Sequence, residues 1–229
     1  MNRIRILQDR KAPPSRRLAV SVSQGSAALL AASTRSSPVT AIQSSRSPGT
    51  DGLWTFVFID MVIFLMIFFT FMSERLGHVD LYAASQLRLN EIFGLANTLI
   101  LLTSSWMVVA AIQAARENEC IRVRWFLGWA WLLGLAFSVD KFAEYYLKIH
   151  AGITPATNSF FSFYFFITVV HFLHVIVGMF FIGYCRSKAR LRIGTVGYVI
   201  GLENVGLFWH FVDVLWIFIF PLLYMVGRR

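Results

Sequence analysis

The chain has 229 residues, of which 57% are hydrophobic and only 14% are charged, and this composition excludes an ordinary soluble domain and indicates an integral membrane protein. The formal net charge of +9 is concentrated at one end, because residues 1–50 hold eight of the 21 Lys and Arg and one of the 12 acidic residues. A basic end alone gives no support for nucleic-acid binding, so no nucleic acid is expected among the partners.

Residues 1–50 are rich in Ser, Arg, Ala and Pro and show no sustained apolar period. We predict that they form a disordered basic tail. Their Arg and Ser content also resembles an organellar transit peptide, but a cytoplasmic tail or a start codon assigned too far upstream is the preferred interpretation. Residues 51–229 are predicted to form one transmembrane domain.

Five apolar segments follow the tail, and each reaches the roughly 20 residues that a helix needs to cross about 30 Å of hydrocarbon. The segments are residues 54–74, 92–115, 125–147, 159–185 and 203–226. Aromatic residues near the segment ends suit the membrane interface; they are Trp54, Trp125, Trp129 and Tyr224. We therefore predict an all-α membrane protein, a bundle of five transmembrane helices.

The basic residues of the connections predict how the helices cross the membrane, because loops rich in Lys and Arg stay on the cytoplasmic side. The second and fourth connections hold Arg116, Arg122, Arg124, Arg186, Lys188, Arg190 and Arg192. The first connection holds essentially Arg75 and Arg88, and the third holds only Lys148. We therefore predict a cytoplasmic N-terminus and a C-terminus on the outside.

Charged side chains lie inside the first, third and fifth predicted spans, where insertion scales give a cost of about 2.5–3.5 kcal/mol each. Asp60 lies roughly a third of the way along the first span. Asp140 and Glu144 are one helical turn apart in the third span, and Lys141 can neutralise one of them. Helix docking, a proton relay and a lipid head-group site are the alternatives open for this cluster.

The fifth span carries a polar stripe. Glu203, His210 and Asp213 are separated by seven and three residues, which places them along one side of a helix. Such groups turn toward other helices or toward water, so the stripe predicts that this helix docks against protein. His171 and His174 form an HxxH pair in the fourth span, and we expect them to face the stripe.

Histidines and carboxylates on facing helices can in principle build a metal site. However, the Glu-x-x-His pairs of ferritin-like sites are absent, and a spacing of three residues is a weak signal by itself. Interhelical hydrogen bonds, worth about 0.6–2 kcal/mol each in membranes, are the preferred interpretation. We therefore expect neither a metal nor a redox cofactor in this chain.

Several stretches of the spans occur in a recognisable order. They read FIDMVIFLMIFF, NTLILLTSSW, FAEYY, FFSFYFFITVVHFLHVIVGMFFI and ENVGLFWHFVDVLWIFIFPLLY. Together they resemble subunit III of the cytochrome c oxidase, or haem–copper oxidase, family. The resemblance covers about residues 54–226, which is essentially the whole chain outside the tail.

Full-length members of that family have seven transmembrane helices, and the motif order implies that the first two are missing here. Asp60 falls where the family's third helix carries an intramembrane carboxylate, usually Glu. The short form is similar to the NorE-type proteins that accompany bacterial nitric oxide reductases. The family's V-shaped cleft holds structural phospholipids, but the missing helices remove one wall of the cleft, so the resemblance carries a phospholipid site over only weakly.

The resemblance implies an accessory, non-catalytic subunit in the bacterial inner (plasma) membrane. Its partner would be the catalytic subunit of a haem–copper oxidase or nitric oxide reductase, which carries the haem and, in some cases, copper. The implied work is to stabilise that subunit and to support its proton uptake. Two alternatives remain from the residues themselves: a small proton or ion pathway through Asp60, Asp140 and Glu144, and a membrane metal oxidase.

Overall fold

The computed structural model describes residues 49–225. The tail predicted to be disordered, residues 1–50, lies almost entirely outside these described residues, and residues 226–229 lie outside them as well. Within the described part of the chain, every regular element is an α-helix. The predicted all-α class is therefore confirmed.

Six helices follow one another between residues 49 and 225. They are α1 (Asp51–Gly77), α2 (Val79–Gln86), α3 (Glu91–Arg116), α4 (Cys120–His150), α5 (Ser159–Arg192) and α6 (Val196–Tyr224). All except the short α2 are long and apolar enough to cross a membrane. The five predicted spans are confirmed, while the direction in which they cross stays a prediction.

Helices α3, α5 and α6 begin at side-chain caps that lie outside the apolar segments. Asn158 accepts a hydrogen bond from the backbone N–H of Phe161 at 2.9 Å, and Thr195 accepts one from the backbone N–H of Tyr198 at 3.3 Å. Each cap satisfies one of the N–H groups that a helix leaves free in its first turn. As a result α6 begins at Val196, about two turns before the predicted apolar segment.

Helices α3 to α6 form the packed core of the described bundle, and small residues bring them close together. A Cβ atom at Gly178 of α5 would lie 2.6 Å from the Trp209 ring of α6. One at Gly206 of α6 would lie 2.7 Å from the Ile112 side chain of α3. The fully buried Trp209 indole therefore occupies the space that Gly178 leaves open.

Helix α1 packs against α5 and α6 along one narrow face. Its buried residues are Asp60, Phe64 and Phe71. The neighbouring Leu65 and Phe69 are exposed, Phe69 by 75%. Helix α1 thus presents most of its apolar surface outward, as a helix in contact with lipid or with another subunit does.

The short helix α2, absent from the sequence prediction, fastens the first connection to the end of α6. Gln86 donates to the backbone carbonyls of Leu222 and Leu223 at 3.3 and 3.1 Å. These carbonyls belong to the last turn of α6, where no helical N–H remains to pair with them. The fully buried Tyr82 ring packs edge-on against Phe71 and holds α2 against α1.

Candidate functional site

Asp60 of α1 and His174 of α5 meet between their helices. Asp60 Oδ2 lies 3.4 Å from His174 Nε2, and the carboxylate is buried. Phe64 packs edge-on against the imidazole, and Phe208 of α6 stacks on it. The pair therefore joins α1 to α5 through polar groups that would be costly if either faced hydrocarbon alone.

The hydrogen bond on the other side of the imidazole fixes the position of one proton. His174 Nδ1 lies 2.8 Å from the backbone carbonyl oxygen of Val170, and because a carbonyl can only accept, Nδ1 carries a hydrogen. His174 Nε2 is left facing Asp60 Oδ2 across 3.4 Å, and that oxygen has no hydrogen-bond partner within the described residues. A carboxylate and a neutral imidazole together carry one negative charge, which a single added proton would cancel.

Lys141, Glu144 and Tyr224 form a closed hydrogen-bonded triangle between α4 and α6. Lys141 Nζ donates to Glu144 Oε2 at 2.7 Å and to the Tyr224 hydroxyl at 3.1 Å, and that hydroxyl donates to Glu144 Oε1 at 2.9 Å. Lys141 is only 1% exposed. A buried ion pair needs such complete hydrogen bonding to offset its desolvation, so the triangle is suited to holding α4 and α6 together.

Two further charges flank the triangle. Lys148 Nζ lies 3.8 Å from Glu144 Oε1, and Asp140 accepts a hydrogen bond from the Asn97 amide of α3 at 2.6 Å. Two lysines thus accompany two carboxylates, so the opposite charges of this cluster balance. Lys141 Nζ also lies 4.7 Å from the Trp216 ring, a cation–π contact that further stabilises its charge.

The polar stripe of α6 faces α3. Arg116 Nη2 donates a hydrogen bond to Glu203 Oε1 at 2.8 Å. The Ser105 hydroxyl forms a hydrogen bond with His210 Nδ1. Asp213, beside Ser105, is 4% exposed, and neither of its carboxylate oxygens meets a donor in hydrogen-bonding geometry within residues 49–225. The stripe therefore lies against another helix of this same chain.

Both histidines of α5 pack against aromatic rings of α6, His171 against Trp216 and His174 against Phe208. His174 pairs with Asp60 of α1, whereas the fully buried His171 ring packs against Phe137 and Trp216. Neither ring nitrogen of His171 has a hydrogen-bond partner within the described residues. Within the described residues no hydrogen bond or ion pair joins either histidine to Glu203, His210 or Asp213, so the expectation that they face the stripe stays a prediction.

The described part of the chain offers no group of three or more His, Cys, Asp or Glu side chains placed to hold a metal ion. Apart from His171, which packs among aromatic rings, the candidate residues are divided among three sets. These are the Asp60–His174 pair, the Lys141 cluster (Asp140, Lys141, Glu144, Lys148 and Tyr224) and the seam between α3 and α6. The absence of a metal stays a prediction, and metal analysis of the purified chain can check it.

Several partners of these groups were missed by the sequence reasoning. Asn97 and Ser105 lie inside the second apolar segment, and an amide or hydroxyl within a span was the signal available for them. Tyr224 was singled out only as an aromatic residue near a segment end, and it is the last residue of α6. Its ring is fully buried because its hydroxyl completes the bonding of Lys141 and Glu144.

Known proteins are similar in sequence to this chain over most of its length. A sequence profile for cytochrome c oxidase subunit III matches residues 46–228. Cytochrome bo(3) ubiquinol oxidase subunit 3 from Buchnera aphidicola subsp. Schizaphis graminum is 29% identical over 188 residues, which cover 77% of this chain and 93% of the relative. Cytochrome c oxidase subunit 3 from Alkalihalophilus pseudofirmus is 31% identical over 188 residues, covering 77% and 85%.

A longer relative matches over a smaller share of its own length. Cytochrome c oxidase subunit 3 from Danio rerio is 35% identical over 133 residues, which cover 58% of this chain and 50% of the relative. The two bacterial subunits above are instead matched along most of their length. The profile match spans all five long helices, and the chain therefore belongs to the cytochrome c oxidase subunit III family.

Proposed function

We propose that this chain is a non-catalytic accessory subunit that packs on the catalytic subunit of a haem–copper oxidase, stabilises it and supports its proton uptake. Family membership supports the accessory role, since the relatives carry the names of third subunits of oxidases. The Asp60–His174 pair carries the proton part of the proposal. It can bind a single proton between two helices of an apolar bundle.

In this role the pair is a local proton store. When it has lost its shared proton it holds one negative charge in a medium of low dielectric constant, and this charge attracts the next proton. When the partner consumes protons, the neutral pair releases its own. The charges of the Lys141 cluster are instead paired with one another, which supports a structural role for that cluster.

We further propose that the partner reduces oxygen. The relatives described above are named as subunits of quinol and cytochrome c oxidases. The short form alone does not favour a NorE-type protein, because the alignment already covers 93% of the Buchnera oxidase subunit. A nitric oxide reductase partner remains the alternative, and the haem and any copper would belong to the partner in either case.

The decisive experiment is purification of the tagged full chain from native membranes in mild detergent. We expect it in the bacterial inner-membrane fraction, together with a many-helix protein that shows haem absorbance. The chain separated from that complex should show no haem absorbance and no stoichiometric metal. Oxygen consumption by the complex supports the oxidase assignment, whereas nitric oxide consumption would replace it.

Recovery of the chain as a stable homo-oligomer with no haem protein would count decisively against the accessory role. The rival proton or ion pathway is tested with the chain alone in liposomes, where we expect no proton flux above that of empty vesicles. The separation of Asp60 from the other two carboxylates supports this expectation, since within the described residues Asp60 pairs with His174 while Asp140 and Glu144 pair with Asn97 and Lys141.

A further inference from the structure

A groove lined by arginines and tryptophans runs along α4 and α5 at the end of the bundle where α4 begins. Its inner part has a volume of about 320 Å³ and reaches Trp129 and Trp131. Its outer part has a volume of about 300 Å³ and reaches Arg190. Both parts are lined by Arg124 and Arg186, so they form one continuous surface, which we call the arginine groove.

The three arginines of this groove have no carboxylate partner within residues 49–225, unlike others at the same end. Arg116 pairs with Glu203, and Arg122 pairs with Glu117 and Glu119. The three groove arginines are Arg124, Arg186 and Arg190. Three positive charges thus converge on one groove of the described structure without an acid to neutralise them.

Arg186 is held in place by the backbone of α4. Its Nε donates to the Arg124 carbonyl oxygen at 3.2 Å, and this bond uses one of the five N–H groups of the guanidinium. A glycine makes the approach possible, since a Cβ atom at Gly128 would lie 3.2 Å from the same Nε. The remaining N–H groups have no partner within the described residues and are available to a ligand.

The surroundings of the groove indicate the chemistry of that ligand. Trp125 is 55% exposed, and Trp129 and Ile121 are exposed beside it. In a membrane-spanning helix, exposed Trp side chains occupy the layer where head groups meet acyl chains. Guanidinium groups bind phosphate oxygens in a bidentate manner, so a ligand with a phosphate group and an apolar body fits both halves of the groove.

We propose that the arginine groove binds the phosphate head group of an anionic membrane phospholipid, with an acyl chain lying along Trp129. Basic pockets between transmembrane helices on the cytoplasmic side are suited to anionic head groups, and the charge pattern predicts that this end faces the cytoplasm. All lining residues lie on α4 and α5. Neither Asp60 nor His174 is among them, so the site is separate from that pair and independent of which gas the partner reduces.

The test places the full chain in nanodiscs of phosphatidylcholine and adds phosphatidylglycerol with brominated acyl chains, which quench nearby indoles. We expect saturable quenching that brominated phosphatidylcholine at the same mole fraction does not produce. Arg186→Gln should raise the apparent Kd about fivefold, equivalent to ~1 kcal/mol for one basic side chain at a membrane surface. The variant with Arg124, Arg186 and Arg190 all changed to Gln should lose the preference for the anionic lipid.

Arg122→Gln is the matched control, because Arg122 lies two residues from Arg124 but has carboxylate partners. It should leave the Kd unchanged, and equal effects of Arg122→Gln and Arg186→Gln would overturn the proposal in favour of general surface charge. Inorganic phosphate is a second arm, since full competition by phosphate alone would indicate a free-anion site. The single Arg186→Gln variant decides the question if the triple variant fails to accumulate.

The same variants can be compared in the purified native complex by mass spectrometry of its bound lipids. We expect the wild-type complex and Arg122→Gln to retain an anionic phospholipid that Arg186→Gln loses. A wild-type complex that retains none would mean that another subunit covers the groove, and the proposal would then be wrong. This experiment measures bound lipid and not turnover. A negative result would therefore contradict the lipid site without contradicting the proposed accessory function.

Discussion

At the scale of single residues, the Asp60–His174 pair is sensitive to the length of one side chain. Asp60 Oδ2 and His174 Nε2 are 3.4 Å apart, which is longer than an ordinary hydrogen bond. A Glu side chain is one methylene group longer than Asp, and the family resemblance places Glu at this position in other members. Asp60→Glu should therefore close the gap and strengthen the pair.

We expect Asp60→Asn to leave assembly of the complex intact but to lower its turnover under sustained load severalfold. The amide keeps the volume of the carboxylate, but it cannot share a proton with His174. Asp60→Ala should behave similarly, whereas Asp60→Glu should keep wild-type turnover. Oxygen consumption by the purified complex over many cycles is the measurement.

Asp51→Asn is the control for this series, because Asp51 is an exposed acid in the first turn of the same helix. It should behave as wild type. If Asp60→Asn and Asp60→Ala also match wild type in assembly and in turnover under load, Asp60 has only a structural role.

Lys141→Met should strongly destabilise the bundle. It leaves the buried Glu144 with Lys148, at 3.8 Å, as its remaining cation, and removal of one partner of a buried ion pair costs about 3–5 kcal/mol. Tyr224→Phe removes one hydroxyl from the same triangle and should cost about 1 kcal/mol. Thermal unfolding of the purified chain in detergent measures both.

Adding Glu144→Gln to Lys141→Met should restore part of the lost stability. The second change removes the uncompensated carboxylate, so the two effects are not additive. A double variant that unfolds at a lower temperature than Lys141→Met alone would contradict the assignment of the destabilisation to an unpaired Glu144.

At the scale of helices, the contact between Gly178 and Trp209 sets how closely α5 approaches α6. Gly178→Ala should destabilise the bundle by about 1–3 kcal/mol, the usual cost of overpacking a core. The added Cβ would lie 2.6 Å from a fully buried indole. The temperature of unfolding in detergent and the amount of chain in the membrane are the measurements.

Gly201→Ala is the matched control, since nothing lies within 4 Å of the position its Cβ would take. Alanine is favoured over glycine in helices by about 1 kcal/mol, so this change should be neutral or slightly stabilising. If the two substitutions lowered the unfolding temperature equally, the close approach at Gly178 would not limit stability.

The five long helices could be predicted from the sequence because hydrocarbon sets a minimum length for an apolar segment. Their ends and the helix α2 could not. The start of α6 depends on the Thr195 cap, and α2 is held by the bonds that Gln86 makes to the distant Leu222 and Leu223. Such contacts join residues far apart in sequence, so hydropathy does not register them.

The sequence also could not predict which neighbouring helix each polar group contacts. Spacing placed Glu203, His210 and Asp213 on one side of α6 but was compatible with either α3 or α5 as the neighbour. The structure places α3 there, and Gly206, next to Ile112 of α3, permits the close approach. Trp209 packs against Gly178 of α5, and His174 of that helix pairs with Asp60 of α1 instead.

At the scale of the whole molecule, the exposed basic residues of the described bundle are distributed more unevenly between the two ends of α4 and α5 than the sequence suggests. Lys148 was counted as the one basic residue of the third connection, but it is buried beside Glu144. Residues 149–158 contain no Lys or Arg. Exposed arginines, among them Arg122 and Arg186, lie at the opposite end of α4 and α5. Because Lys148 is buried, the difference in exposed Lys and Arg between these two ends is larger than the sequence count, and this strengthens the predicted orientation.

We therefore expect the connection between α4 and α5 to lie outside the membrane and the end of α5 to lie in the cytoplasm. In a background with Cys120→Ser and Cys185→Ala, a membrane-impermeant maleimide should label Ala156→Cys in intact cells. It should label Leu191→Cys only after the cells are permeabilised. Both positions are exposed, Leu191 by 80%, so burial does not limit the reaction. The reverse pattern would place the arginine groove on the outer surface and overturn the predicted orientation.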